Sequence, residues 1–104
     1  MRNSVVVRPF EPGDFVTSSS GESGLVLSPR TFVEAASRLP KACRPGHFFA
    51  PGCCARPDYV TQVPVLFADG SYDVMRSTHL KKDRNPSVET RARLLSLLDA
   101  IPNR

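Results

Sequence analysis

The strongest structural signal in the chain is the segment Tyr59-Val-Thr-Gln-Val-Pro-Val-Leu-Phe67, Ala68-Asp-Gly-Ser71 and Tyr72-Asp-Val-Met-Arg-Ser-Thr-His-Leu80. Two runs rich in β-branched and aromatic residues flank an Asp-Gly pair, and this arrangement predicts a β-hairpin. Placing Phe67 opposite Tyr72 also puts Val65 opposite Val74. We therefore predict that the core face of the hairpin consists of Val63, Val65, Phe67, Tyr72 and Val74.

Pro64 bears on the length of the hairpin loop. In a two-residue loop at Asp69-Gly70, Pro64 would stand opposite Met75 at a position that requires a backbone N–H, which proline lacks. A four-residue loop from Ala68 to Ser71 keeps the same facing residues and turns Pro64 outward. We therefore predict the four-residue loop, with Pro64 at a sheet edge or a β-bulge.

The length and composition of the chain indicate a single domain over residues 1–104. Ten prolines, six glycines and no tryptophan predict one modest core built from short elements that turns connect. The N-terminal Val5-Val6-Val7 is too short for a signal peptide, and no later segment approaches the length of a membrane span. Three cysteines fit reduced thiols better than a disulfide framework. These features predict a cytoplasmic protein that does not enter a membrane.

Weaker signals on either side of the hairpin add strands and a helix. The runs Phe15 to Ser18 and Leu25 to Leu27 are β-prone and predict a second hairpin, and Val5 to Val7 is a further candidate strand. Ser28-Pro29 opens a stretch with apolar residues at three- and four-residue spacing, which predicts a short helix ending at Pro40. The turn-rich segment after it contains one more candidate strand, His47 to Ala50.

A leucine-rich segment predicts a helix at the C-terminus, over residues 85–104. Asn85 is its expected cap and Pro86 its first residue. Its apolar face is broad and consists of Leu94, Leu95, Leu97, Leu98 and Ile101. A face of this width packs either on the strands of the same chain or on a second copy, so a homodimer through this helix is one expectation.

Four strand-like segments together resemble a known small fold. They are Gly13-Asp-Phe-Val, Gly24-Leu-Val-Leu, Val63-Pro-Val-Leu-Phe-Ala-Asp-Gly-Ser and Ser77-Thr-His-Leu80. This pattern covers about half of the chain and resembles the SH3-like small barrels of the Tudor and KOW kind. The resemblance implies a mainly β protein: a barrel of about five strands over residues 1–84, with a helix and a cysteine loop inserted at 28–58 and a C-terminal helix at 85–104. It also implies non-catalytic binding of protein or nucleic acid.

A second resemblance gives the alternative function. Gly13-Asp14, then Gly24-Leu-Val-Leu-Ser-Pro29, with a leucine-rich C-terminal helix, is similar to the MazF/PemK toxin family. The resemblance implies the same type of barrel and an endoribonuclease activity. That family carries an Arg-Pro before its second strand and a Thr or Ser after the next one. This chain has Glu22-Ser23 and Cys53-Cys54 at about those places, so we assign no catalytic residue.

Four possible zinc ligands fall within one turn-rich loop: Cys43, His47, Cys53 and Cys54. Thiolate and imidazole groups are the ligands that zinc selects. Their spacing, C-x3-H-x5-C-C, matches no closed zinc motif, however, and free cysteines are commonly small buried groups. We therefore favour buried thiols over a metal site and predict no cofactor.

The residues after the hairpin form a basic run: Arg76, His79, Lys81, Lys82 and Arg84. Lysine and arginine neutralise phosphates without reading base sequence. A run of this kind is equally typical of a solvated strand exit, and the net charge of +4 is mild. Because Tyr59 lies beyond the regular strand, we expect it to be exposed and able to stack on a ligand. The candidate partner-binding residues are therefore this basic run and Tyr59.

Overall fold

The computed structural model describes residues 10–38 and 58–101. Within these ranges the chain forms a five-stranded antiparallel sheet in the order β4-β3-β2-β1-β5, with two helices. The elements are β1 (Phe15–Ser18), β2 (Ser23–Val26), α1 (Pro29–Arg38), β3 (Gln62–Phe67), β4 (Tyr72–Arg76), β5 (Leu80–Lys82) and α2 (Val88–Ala100). The mainly β architecture, the inserted helix and the C-terminal helix are thereby confirmed. The candidate strands at Val5–Val7 and His47–Ala50 lie outside the described residues.

A three-residue connection forces the sheet to curl. Strands β4 and β5 lie at opposite ends of the strand order, and a single turn of 3-10 helix, Ser77–His79, joins them. In a flat sheet these two strands would lie about 19 Å apart, at about 4.8 Å per strand spacing. The Cα–Cα steps from Arg76 to Leu80 span about 15 Å at most. The sheet is therefore strongly curved, but β4 and β5 do not pair with each other, so it is open and does not form the closed barrel that we predicted.

The curved sheet buries apolar side chains on both faces. Every strand contributes to one cluster on the inner face, which contains Val16, Val26, Val63, Val65, Phe67, Met75 and Leu80 together with Phe10 and Tyr59. On the outer face, Leu27, Leu66 and Tyr72 pack against residues of α1 and against the C-terminal end of α2. Strand β3 lies between these two layers, and all of its residues from Val63 to Phe67 are buried.

The hairpin lies where the sequence predicts it, but its register is shifted by one residue. Leu66 pairs with Tyr72, and Val65 pairs with Asp73. Tyr72 and Val74 therefore lie on the outer face and do not share the inner face with Val65. The predicted core face is wrong for these two residues because both faces of β3 are buried, so apolar alternation does not distinguish one register from the other.

The hairpin loop contains three residues, Ala68–Gly70, and the predicted four-residue loop is therefore one residue too long. The Phe67 N–H donates to the Ser71 carbonyl oxygen at 2.7 Å and closes the loop. Gly70 has a φ of 90°, which a type I turn followed by a left-handed residue requires. The Asp69 side chain accepts hydrogen bonds from the N–H and the hydroxyl of Ser71, which fixes the same turn.

Pro64 lies in an interior strand, so the prediction of an edge or a bulge is wrong. The Leu27 N–H donates to the Pro64 carbonyl oxygen at 2.9 Å, but proline has no N–H to return to Leu27. The Tyr59 hydroxyl donates to the Leu27 carbonyl oxygen instead. Tyr59 therefore supplies the hydrogen bond that the proline removes from the ladder, and this explains how β3 tolerates a proline between two neighbours.

Both helices begin at a serine cap. The Ser28 hydroxyl accepts from the Thr31 N–H at the start of α1, as predicted. Helix α2 is capped by Ser87, which accepts from the Thr90 N–H, so the prediction of Asn85 as the cap is wrong by two residues. The bulk of the apolar face of α2 packs on its own chain, whereas Leu95 remains 44% exposed. The homodimer stays a prediction. Neither described helix has the length and apolar character needed to cross a membrane.

Asp58 fixes the turn that leads into β3. Its carboxylate accepts hydrogen bonds from the N–H groups of Gln62, Thr61 and Val60 and from the Thr61 hydroxyl, at 2.8–3.0 Å. These bonds, that from Gln62 first, hold the pKa of Asp58 well below its usual range. The charged carboxylate therefore stabilises the turn that places Tyr59.

Asp58→Asn should reduce stability at neutral pH and flatten its dependence on acid. Because the pKa of Asp58 is lowered in the folded state, its contribution is complete above the unfolded-state pKa of about 3.9 and is lost as the pH falls toward the folded-state value. In urea denaturation, we expect the difference in unfolding free energy between wild type and Asp58→Asn to shrink from about pH 5 to pH 2. A difference that stays constant or widens on acidification would contradict this role.

Candidate nucleic-acid interface

The predicted basic run begins with Arg76 at the end of β4 and continues through the 3-10 turn and along β5, at an edge of the sheet. Strand β5 pairs with β1, with Thr17 opposite Lys81 and Ser18 opposite Leu80. Leu80 belongs to the inner core. Since side chains alternate along a strand, Thr17 and Lys81 lie together on the outer face.

The helices cover the outer face in the middle of the sheet but leave more of it exposed at the β5 edge. The helices pack on it where Leu27, Leu66 and Tyr72 lie, in and around β2, β3 and β4. At β1 and β5, by contrast, Thr17 is half-buried and Lys81 is exposed. Helix α2 reaches β1 through Arg91, whose guanidinium lies 5.5 Å from the centre of the half-buried Phe15 ring. This part of the outer face is accessible to a partner.

Three basic side chains lie one after another along the paired strands β1 and β5. We call them the basic row: Arg91, Lys81 and His79. Arg91 lies over Phe15, Lys81 pairs with Thr17, and the His79 carbonyl oxygen accepts from the Ser19 N–H at 2.8 Å. From Phe15 to Ser19 the backbone of β1 covers about 13 Å, at about 3.3 Å per residue. The row therefore presents basic groups over the length of one strand.

Lys81 and Lys82 are adjacent in sequence but differ in their surroundings. Lys82 lies on the side of Val16, where its ammonium group is 3.6 Å from the Asp14 carboxylate and 6.0 Å from the centre of the Phe10 ring. The side chain of Lys81 has no hydrogen-bond or ion-pair partner in the part of the chain that the structure describes, nor does that of His79. The charge of Lys81 is therefore available to a ligand, whereas that of Lys82 is largely offset.

Two acidic residues lie close to the basic row. Asp83 stands opposite Phe15, and its carboxylate accepts from the Asn85 N–H at 3.1 Å. Glu22 accepts from the Ser20 hydroxyl at 3.3 Å. These carboxylates reduce the local positive potential, but neither forms an ion pair with Lys81 or His79.

A pocket of about 350 Å³ lies at the end of the basic row. It opens between the turn that joins β1 to β2 and the 3-10 turn that precedes β5. Its lining consists of Thr17, Ser18, Ser19, Gly21, Thr78, His79, Leu80 and Lys81. Hydroxyl groups, one imidazole and one ammonium group therefore surround the space, together with the apolar Leu80.

Hydrogen bonds within the first turn give the pocket a fixed wall. The Ser18 N–H donates to the Glu22 carbonyl oxygen at 2.8 Å, and the Gly21 N–H donates to the Ser18 carbonyl oxygen at 2.9 Å. The Ser18 hydroxyl accepts from the Glu22 N–H and lies 2.9 Å from the Ser20 hydroxyl. The Ser18 hydroxyl therefore bonds within the turn. The other hydroxyl groups of the lining belong to Thr17, Ser19 and Thr78.

The predicted binding residues do not form a single group. His79 and Lys81 meet at the pocket, Lys82 faces Asp14, and Arg84 is exposed in the loop after β5. Arg76 is exposed at the end of β4. Tyr59 is only 3% exposed, so the expectation of an exposed stacking residue is wrong: its ring belongs to the inner core and its hydroxyl is bonded to Leu27.

The proposed zinc ligands Cys43, His47, Cys53 and Cys54 lie outside the described residues. Within residues 10–38 and 58–101, no three histidine, cysteine or acidic side chains come together as a metal site. The prediction of no metal and no cofactor therefore stays a prediction.

The structure adds residues that the sequence analysis did not select: Thr17, Ser19 and Thr78 in the pocket, and Arg91 beside β1. Each of them reaches the site through the pairing of β1 with β5 or the packing of α2, which are contacts between distant parts of the chain. For Thr17 the sequence did contain a signal. Because side chains alternate along a strand, Thr17 lies on the face away from the core residue Val16.

Comparisons of the chain with models of known protein families, with curated proteins and with solved structures found no match.

Proposed function

We propose that this chain is a non-catalytic binding module that holds the phosphate backbone of a nucleic acid along the basic row. The observation that carries the proposal is the contrast between the two neighbouring lysines: Lys82 is paired with Asp14, and Lys81 has no partner within the described residues. Unpaired cations beside hydroxyl donors are the groups that contact phosphate oxygens.

The surroundings of the row favour backbone contacts over base stacking. Tyr59, the aromatic residue expected to stack, is buried, and the half-buried Phe15 ring already has Arg91 over it. Base stacking requires an accessible aromatic face. We therefore propose binding that depends on phosphate charge and is tolerant of base sequence.

We also propose that the fold is an SH3-like small barrel, and the curvature of the sheet supports this assignment. A five-stranded antiparallel sheet that curls around one core is compatible with a small barrel that remains open at one seam. Small barrels of this kind carry unrelated functions, so the fold alone does not select a ligand. The choice of nucleic acid over protein depends on the basic row.

Binding to a labelled single-stranded RNA should depend on Lys81 and not on Lys82. By fluorescence anisotropy, we expect Lys81→Gln to weaken binding about tenfold, because it removes a charged hydrogen bond to phosphate. Lys82→Gln removes the same charge one residue away, next to Asp14, and should leave the affinity within about twofold of wild type.

Two results would contradict the proposal: no binding of the RNA, or an equal loss of affinity in the two variants. Intact RNA should be recovered after incubation. Cleavage of the RNA by the purified wild-type protein would instead favour the toxin-like endoribonuclease.

A further inference from the structure

The pocket at the end of the basic row is large enough for a small ligand group. Its volume of about 350 Å³ lies at the lower end of the range for small-molecule pockets, which is about 300–1,000 Å³. One water molecule takes about 30 Å³, so the space accommodates a group larger than a single inorganic ion. The two turns that bound it are tied together by the hydrogen bond from the Ser19 N–H to the His79 carbonyl oxygen.

The lining offers hydrogen-bond donors to an anion. The hydroxyls of Thr17, Ser19 and Thr78 have no hydrogen-bond partner among the described residues. Lys81 contributes an ammonium group, and His79 contributes an imidazole, which donates in either tautomer. None of the lining residues is acidic. An electron-rich, oxygen-bearing group is therefore the chemistry that this pocket fits.

A terminal phosphate fits better than an internal one. A phosphomonoester carries a charge of about −1.5 to −2 at neutral pH and three acceptor oxygens, whereas an internal phosphodiester carries a single charge and continues the chain on both sides. Three residues of the turn between β1 and β2 line one side of the pocket: Ser18, Ser19 and Gly21. From the pocket, the basic row continues from Lys81, opposite Thr17, to Arg91, which lies over Phe15.

We propose that this pocket binds the phosphomonoester at one end of a nucleic-acid strand whose backbone follows the basic row. This inference rests on the proposed function, and it adds an end preference that backbone binding alone does not produce. Lys81 and His79 contact the phosphate oxygens, and the hydroxyls of Thr78 and Ser19 complete the donor set.

The test compares three RNAs of one sequence, with a 5′-phosphate, with a 3′-phosphate and with hydroxyls at both ends. Wild type should bind one of the phosphorylated RNAs about tenfold more tightly than the unphosphorylated RNA, since 1.4 kcal/mol corresponds to a factor of ten. His79→Ala should remove this preference and, because His79 also belongs to the basic row, should weaken binding of the unphosphorylated RNA as well. Thr78→Val, which removes one exposed hydroxyl, should reduce the preference. Melting curves of both variants show whether they are folded.

The outcomes separate this inference from the proposed function. Equal affinity of wild type for all three RNAs would overturn the end pocket and leave backbone binding in place. Failure to bind any of them would overturn both. A preference that survives in folded His79→Ala would place the end group elsewhere and overturn the pocket.

A competition experiment distinguishes a phosphate at the end of an RNA strand from the phosphate of a free nucleotide. A mononucleoside monophosphate should displace phosphorylated RNA only at concentrations far above that of the RNA, because it lacks contacts with the basic row. Displacement by the mononucleotide at concentrations as low as those of the phosphorylated RNA would assign the pocket to a free nucleotide and overturn the strand-end proposal.

Discussion

Gly24→Ala should lower the free energy of unfolding by about 1–3 kcal/mol, the usual cost of overpacking a core. A Cβ atom at Gly24 would overlap Cγ1 of Val65 and would lie 3.2 Å from the Leu66 carbonyl oxygen. Val65 is fully buried and β-branched, so it has little freedom to move away. Alanine also reduces the entropy of the unfolded chain by about 0.4–1 kcal/mol, which is smaller than the expected overlap cost.

Val65, the residue that the new Cβ atom would overlap, provides the control for Gly24→Ala. In a Val65→Ala background, which removes the overlapping methyl group, Gly24→Ala should cost clearly less than in wild type. Ser23→Ala, at the neighbouring half-buried position of β2, should change stability by no more than about 0.5 kcal/mol. Urea denaturation measures all four variants. An equal cost for Gly24→Ala in both backgrounds would show that Val65 is not the limiting contact.

Tyr59→Phe should destabilise the protein by about 1–3 kcal/mol, because it leaves the buried Leu27 carbonyl oxygen without a donor. The ring remains, so packing in the inner core is preserved. Pro64 has no N–H with which to replace the lost hydrogen bond. The substitution therefore isolates the contribution of one hydroxyl.

A double-mutant cycle with Pro64→Ala tests this explanation. Alanine at position 64 restores an N–H that points at Leu27, since the Leu27 N–H already donates to the carbonyl oxygen of residue 64. In the Pro64→Ala background, Tyr59→Phe should cost less than about 0.5 kcal/mol. The same cost in both backgrounds would mean that Tyr59 stabilises the fold by some other contact.

The position of the central hairpin could be predicted from local sequence, whereas its register could not. Asp69-Gly70 between two apolar runs locates the turn, and Ser71 and Gly70 determine its geometry. Register is set by which face is buried, and β3 is buried on both. The layer that buries the outer face comes from α1 and α2, which lie far from β3 in the sequence.

The same distinction applies to the candidate site. The sequence identifies a basic run, and alternation along a strand places Lys81 and Lys82 on opposite faces, but only the pairing of β5 with β1 shows which of them lies on the side of Val16. For Tyr59, the sequence predicted an exposed side chain, whereas the structure buries it. Its ring packs in the inner core and its hydroxyl donates to the Leu27 carbonyl oxygen, and both contacts involve residues far away in the sequence.

The most direct test of phosphate binding by the basic row is the salt dependence of RNA binding by wild type, Lys81→Gln and Lys82→Gln. For wild type, the logarithm of the binding constant should fall linearly with the logarithm of salt concentration, because each neutralised phosphate releases counterions. Lys81→Gln should reduce the magnitude of that slope by about one, and Lys82→Gln should leave it unchanged. A slope near zero for wild type, or a larger change for Lys82→Gln than for Lys81→Gln, would contradict this role of the basic row.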